Sequence, residues 1–288
     1  MTAQRTGWIS RLLGHPQPQA WSIDGGVLRF ERDFHGGLGI QHGGTRVTIN
    51  EGARIGRGTR VHLLGGTLEI ATGAALGESV DLRPAHAISI GAGAVVEDFA
   101  CIQSDTAEVS LGQGVRIGRF THVWGHRGPV RVGDATTIGA SCCFIGTGAG
   151  IDVAARCDFT HGVTLDSAGG SIVMAAGSGV GPNSVLYGHG GLRIGAGVAI
   201  AGLTMIVPGN HRFNRTDQPI RAQGVDPIPI EIGDDVWIGG GAVVLGGVVL
   251  GKGCVVGAGS VVRGRVEAGS VVAGVPSRSI GTRAGEPR

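Results

Sequence analysis

Residues 232–262 read IGDDVWIGGGAVVLGGVVLGKGCVVGAGSVV. Apolar anchors recur every six residues, at Ile232, Ile238, Val244, Leu250, Val256 and Val262. Two positions before each later anchor stands a small or β-branched residue: Val236, Ala242, Val248, Cys254, Ser260. Side chains two apart on a strand share a face, so Ala242 and Val244 point one way and Val243 the other. The Gly-rich trios between them tolerate turn conformations that β-branched residues resist. A strand with two inward residues, a tight turn and a repeat describe one side of a parallel β-helix.

Working outward, Ile194, Ile200 and Ile206 continue the pattern N-terminally. Further upstream a longer period takes over, with equivalent anchors at Leu28, Ile49, Ile70, Ile90, Leu111, Val132, Val153, Met174 and Ile194, about 21 residues apart. Each of these coils predicts two tight turns and one longer turn, and the longer turns should stack as a ridge along one corner of a triangular prism. Between Ile206 and Ile230 that same corner swells into a loop, VPGNHRFNRTDQPIRAQGVDPIP, residues 207–229, which holds His211. Beyond Ile232 the period contracts and the long turns vanish, which predicts a bare corner over Ile232–Val262. About eleven coils at roughly 4.8 Å give a prism on the order of 50 Å long. The expected division is a lead or cap at 1–27, the solenoid at 28–276, and a polar, frayed tail at 277–288. In the lead, Trp8, Ile9, Leu12 and Leu13 with Arg5 and Arg11 would make one short amphipathic turn. It would cap the open end, or touch a membrane surface.

The 57 glycines of the 288 residues would argue for disorder if they were aperiodic; their period excludes that. A net charge of +2 gives no bulk electrostatic case for nucleic acid. Cys142, Cys157 and Cys254 fall in small inward slots and read as buried small hydrophobes rather than metal ligands or a disulfide set. Neither a signal peptide nor a transmembrane run is visible, so a cytoplasmic protein is expected.

The run IGDDVWIGGGAVVLGGVVLGKGCVVGAGSVV, followed by AGVPSR and preceded by a histidine loop, resembles the hexapeptide-repeat acyltransferases, in particular the sugar O-acetyltransferases. The resemblance covers roughly residues 192–280 and implies a left-handed β-helix, acetyl-CoA as acyl donor, a homotrimer with active sites between prisms, and no metal. His211 matches the family's catalytic histidine, whose imidazole can take a proton from an alcohol near neutral pH. Gly240 matches the position whose backbone N–H meets the thioester carbonyl, and a carbonyl becoming an oxyanion needs such a fixed donor. Ala258 corresponds to a second backbone contact, to the pantetheine arm. Arg278 matches an arginine at the nucleotide end; the family's usual lysine there is Gly264 in this chain, flanked by Arg263 and Arg265, which would supply the cations. Trp237, outward on an aromatic-poor prism, suggests contact with a ligand or a neighbouring subunit. For the acceptor, the family's asparagine aligns best with Gly181 here, and Asn183, two residues on, is the candidate; His189 sits one coil before the His211 loop at the same corner, and as a surface residue it would need no role. His62, His86 and His126, further along the ridge, are expected to be solvated.

The leading reading is acetyl transfer to a hydroxyl of a sugar or polysaccharide precursor. N-acylation of an amino sugar or nucleotide sugar is the nearest alternative. The fold also hosts trimeric zinc carbonic anhydrases, faintly echoed by Ile102-Gln-Ser-Asp and by His122 and His126, but the ligand spacing differs. A non-enzymatic scaffold would have no need of the loop at 207–229.

Overall fold

The computed structural model describes residues 20–283, and the amphipathic turn expected around Trp8–Leu13 lies outside them. The described chain is all-β apart from one short 3-10 turn at Ile220–Gln223. Three long sheets of twelve, twelve and thirteen strands form the faces of a parallel β-solenoid, consistent with a left-handed β-helix. In each coil the chain runs along a first face, for example Val243–Leu245, then a second, Val249–Leu250, then a third, Val255–Val256. The long turns join the first face to the second, and that edge is called here the loop corner. The third face returns to the first through the glycine corner.

The six-residue pattern works because the bore is narrow. On the second face Ile49, Ile70, Ile90, Leu111, Val132, Val153, Met174, Ile194, Ile232, Leu250 and Val266 are paired in continuous register. All of them are buried. The small slots before the anchors serve a second purpose. The Thr121 hydroxyl donates to the Gly139 carbonyl of the next coil at 2.7 Å, and the Ser178 hydroxyl to Gly195 at 2.8 Å. The thiols of Cys142 and Cys254 make the same step, to the carbonyls of Thr160 and Glu267, both at 3.0 Å. These buried cysteines therefore replace hydroxyls in a ladder that ties each coil to the next, and burial raises both thiol pKa values.

Two boundary expectations are corrected. Leu28 is not the first anchor of a parallel coil. It lies in strand Val27–Phe30, which runs antiparallel to Arg60–His62 on the first face and closes the bore from above. Leu38–His42 folds back antiparallel on Thr45–Ile49 and Phe34–His35 on Arg54–Ile55, so each of the three sheets ends on an antiparallel strand at this side. At the other end, Ser277–Thr282 is no frayed tail. It pairs antiparallel with Ser270–Gly274, and Arg283 anchors it through an ion pair to Asp235.

Candidate active site at two corners

The loop corner carries His211. The enlarged loop is an ordered ribbon, not an irregular excursion: Gly209–His211 pairs antiparallel with Val225–Pro227. Gln223, buried, ties the tip together, donating to the carbonyls of Arg215 and Gln218 and accepting from the Arg215 N–H. At the base, Ile228 donates to Pro208 at 3.1 Å and Gly247 to Pro229 at 3.0 Å. A side chain at Gly190 would strike Ile228, and one at Gly246 would crowd the same residue, so glycine in the coils on either side lets the ribbon seat. His211 itself is exposed, at the end of its strand. His189 packs its Cβ beside Gly209, and its Nδ1 is buried without a hydrogen-bond partner. It therefore belongs to the base of the His211 ribbon rather than to open surface.

Gly240 and Ala258 lie at the other edge of the first face, in the glycine corner. The pairing of Ile238 with Val256 puts them one coil apart. The three glycines of the trio are not equivalent. A Cβ on Gly239 would sit 2.6 Å from the Ala258 nitrogen, and Gly241 has φ +69°, so the fold requires both. Gly240 has no positive φ, and a Cβ there would meet the Gly202 carbonyl oxygen at 3.2 Å, a tight contact, and the Ala201 Cβ at 3.9 Å, a looser one. In coils further up, this column carries side chains, among them Arg57, Glu78, Asp98 and Arg119, and carboxylates cap its turn amides: Asp98 accepts from the Glu78 N–H at 2.9 Å, Glu97 from that of Arg119 at 3.3 Å. At Gly240 and Ala258 the N–H groups have no acceptor among the described residues, and no bulky side chain covers them. Two backbone donors without an acceptor among the described residues thus stand one above the other on this edge.

This divides the sequence-predicted residues. Trp237, 55% exposed on the third face, stands beside the glycine corner, and so does Asn183, at the αL position of its turn. Counting on from the pairing of Val256 with Val272, the column Gly240–Ala258 ends at Gly274, in the hairpin that carries exposed Arg278. Arg263 follows Val261–Val262 into the loop corner, and Arg265 begins the second face, paired with Glu267 at 3.2 Å. Neither lines the Gly240–Ala258 edge of its own prism. The bare edge expected at the loop corner does exist below the ribbon, at Gly246–Gly247 and Gly264, but the free amides are on the opposite side of the first face. Asn183 likewise does not meet His211 within one chain.

A second polar cluster escaped sequence reasoning. Higher on the first face, Asp81 is buried and gathers Arg60 at 3.0 Å, His62 at 3.2 Å and Arg83 at 2.8 Å. Burial works to raise its pKa, but the hydrogen bond from Arg83 and the charge of His62 hold it below the usual carboxylate range. Asp105 likewise accepts from Gln103, Trp124 and His126 at 2.7, 2.9 and 2.8 Å. His62 and His126 are thus partnered, contrary to the expectation of solvated ridge residues. The only signal in the sequence was their spacing of about one coil. Among the described residues no group of three or more His, Cys, Asp or Glu side chains is arranged to hold a metal ion, and no helix is long and apolar enough to cross a membrane.

Comparison with known proteins agrees with this architecture. Residues 229–264 match the model of the bacterial transferase hexapeptide (six repeats), and residues 129–167 that of the hexapeptide repeat of succinyl-transferase. Over these two stretches the chain is similar to the hexapeptide repeats of bacterial transferases. A probable acetyltransferase of Mycobacterium tuberculosis is 32% identical over 179 residues, which is 62% of this chain and 46% of that protein. The chain thus spans under half the length of that relative. Among solved structures, a hexapeptide-repeat-containing acetyltransferase from Vibrio cholerae is 27% identical, with a TM-score of 0.37 over 43% of this chain and 73% of that one. An N-acyltransferase from Bacillus cereus, in complex with dTDP-4-amino-4,6-dideoxyglucose and coenzyme A, is 18% identical, with a TM-score of 0.37 over 68% and 83% of the two chains.

Proposed function

We propose that this protein is an acetyl-CoA-dependent O-acetyltransferase acting on a sugar hydroxyl, and that its active site forms between neighbouring copies of the chain. The observation that carries this reading is the placement of the two half-sites. His211 and the Gly240–Ala258 amides flank the same face from opposite edges, within one coil of each other along the prism. The lower part of that face is apolar, with Val185, Met205, Val207, Val243, Leu245 and Val261 pointing outward. The second face instead presents Glu69, Arg131, Asp152, Arg193, Glu231 and Arg265. In a cyclic assembly packed through the first face, the loop corner of one copy meets the glycine corner of the next at equal height. Exposed Phe213 and Ile220 at the ribbon tip are then available to the neighbour. A homotrimer satisfies this geometry.

In such a site the acceptor hydroxyl loses its proton to the His211 imidazole as its oxygen attacks the thioester carbonyl. The carbonyl oxygen gains charge facing the Gly240 N–H, which is fixed by its turn and needs no reorganisation. The C–S bond then breaks, the acetyl group stays on the acceptor oxygen, and the proton leaves on the coenzyme A thiol. A hydroxyl needs a base at neutral pH far more than an amine does, which favours O- over N-transfer. The pantetheine arm would follow the stripped edge past Ala258 toward Arg278, beside Trp237. Arg263 and Arg265 could reach the nucleotide only from another copy. Asn183 and His189 are the candidates for acceptor contact, one from each corner.

Complementation tests the reading. His211→Ala and Gly240→Val subunits, each inactive alone, should recover about a quarter of wild-type turnover when co-assembled one to one, because that share of interfaces pairs an intact glycine corner with an intact His211. Mixed trimers of folded subunits that stay inactive would refute a shared site. A panel of sugars and amino sugars with labelled acetyl-CoA would separate hydroxyl from amine acceptors.

A further inference from the structure

The αL position of the glycine corner holds Gly58, Ser79, Phe99, Phe120, Ser141, Gly162, Asn183, Leu203, Gly241 and Gly259 in successive coils. Glycine and, after it, asparagine are the residues such turns favour; a bulky aromatic there is a conformational outlier. Phe99 and Phe120 have φ 61° and 60°. Their rings stack on each other with centroids 5.2 Å apart and planes 4° from parallel. They nonetheless remain 52% and 62% exposed. Within one chain the strain is thus answered only by a solvated stacking contact, a weak return for two large apolar side chains.

At the other edge of the same face, in the same coil as Phe120, an aromatic wall is already built. Trp124 is stacked against His122 and packed against His126, with centroids 5.8 and 4.5 Å away. Asp105, one coil above and level with Phe99, fixes both Trp124 and His126 by hydrogen bonds. A pre-set wall needs no ordering when a partner arrives, which lowers the cost of binding. This edge is the loop corner, and the phenylalanines stand at the glycine corner. Those are the two edges that a cyclic assembly through the first face brings together at equal height.

We propose that Phe99 and Phe120 of one copy of this chain pack against the Trp124–His126 wall of the next, forming an aromatic clasp between prisms. The clasp rests on the assembly through the first face set out above and adds a second contact zone to it. It lies five coils above Gly240, roughly 24 Å along the prism. A lever of that length fixes the axial register of neighbouring prisms, and so holds His211 of one copy level with Gly240 of the next. The Asp81 cluster and His122 lie between the two edges and would be enclosed by the contact.

The test is a Phe99→Ser/Phe120→Ser variant, because Ser79 and Ser141 show that serine fits these turns. Its circular dichroism and dilute-solution melting should match the wild type, while its dissociation to monomers in sedimentation runs should shift to concentrations about ten- to a hundredfold higher. In a double-mutant cycle, Phe120→Ser and Trp124→Ala should be non-additive, since each removes the partner of the other. An unchanged dissociation profile, or additive effects, overturns the clasp. Val243→Asp, low on the same face, separates the two ideas. If it breaks the trimer while the serine variant does not, the assembly stands and the clasp falls; a wild type that is monomeric at micromolar concentration removes both.

Discussion

The upper and lower coils of this solenoid share a bore and differ at their edges. From Thr45 to Ile194 each coil spends about 21 residues, and its outer corners carry charge, aromatic rings and hydrogen-bonded clusters. Below Ile232 the pairings Ile232 with Leu250 and Leu250 with Val266 shorten the coil to eighteen and then sixteen residues, and the turns 239–241, 246–247 and 257–259 hold only Gly and Ala. Inward residues hardly change between the two regions, because the bore imposes one size. The difference teaches that in a repeat fold the anchors specify architecture while the turns specify chemistry. The lower region exposes backbone amides, suited to a thin ligand; the upper region exposes side chains, suited to another copy of the protein.

The sharpest way to break this division is through the lower corner. His211→Ala should leave the melting temperature unchanged, as the residue is exposed on the ribbon, and reduce turnover by about two to four orders of magnitude. Retained acetyl transfer in steady-state assays would remove His211 from the chemistry. Next comes a pair of neighbouring glycines. Gly239→Ala should cost roughly 2–4 kcal/mol of stability through its clash with the next coil, whereas Gly240→Ala should melt within about 0.5 kcal/mol of wild type and still lose most activity. Denaturant titration beside activity assays checks both; equal melting losses would mean that Gly240, too, is a purely structural turn residue. A smaller effect is expected at Arg278, since it is fully on the surface beyond the amides. Arg278→Ala should raise the KM for acetyl-CoA about three- to tenfold with little change in kcat.

The smallest effect probes the upper region. Burial, with Arg83 nearby, lowers the pKa of His122, whose Nε2 is enclosed without a partner. Its folded pKa lies below its unfolded one, so the unfolded chain takes up the proton first. The stability this residue contributes is therefore present above its ordinary pKa, near 6.5, and is lost as pH falls below it. His122→Gln should flatten that part of the stability profile between about pH 7 and 5. Unfolding curves at several pH values would show it; an unchanged slope would mean that His122 titrates normally.

Much of this was legible in the sequence, and the reasons are physical. The bore tolerates only aliphatic anchors and small slots, so the six-residue period marks every coil from Ile49 onward. The enlarged corner and its histidine followed from counting, because a coil must close on itself. What counting of anchors alone did not reveal was which edge each turn occupies. Between the 207–229 ribbon and Gly240 the chain runs along Ile230–Ile232 on the second face and Trp237–Ile238 on the third, and so arrives at the opposite edge of the first face. Leu28 misled because an antiparallel capping strand buries the same apolar residues as a coil. Ser277–Thr282 misled because polar outward residues on a final hairpin look like a tail. Asp81 and Asp105 draw partners from neighbouring coils, and such contacts become visible only once the register is known.

The ladder of small inward residues has a practical consequence. Cys142, Cys157 and Cys254 sit at different depths along the prism, closed off from reagents, while Cys101 and Cys143 lie half-exposed on the first face. In a molecule whose rungs are held mainly by their neighbours, opening starts where neighbours are fewest, at the ends. Thiol labelling against time would therefore act as a depth gauge for breathing: Cys254, near the C-terminal hairpin, should react before Cys142 and Cys157, and deleting the Ser277–Thr282 strand should speed the first without touching the other two.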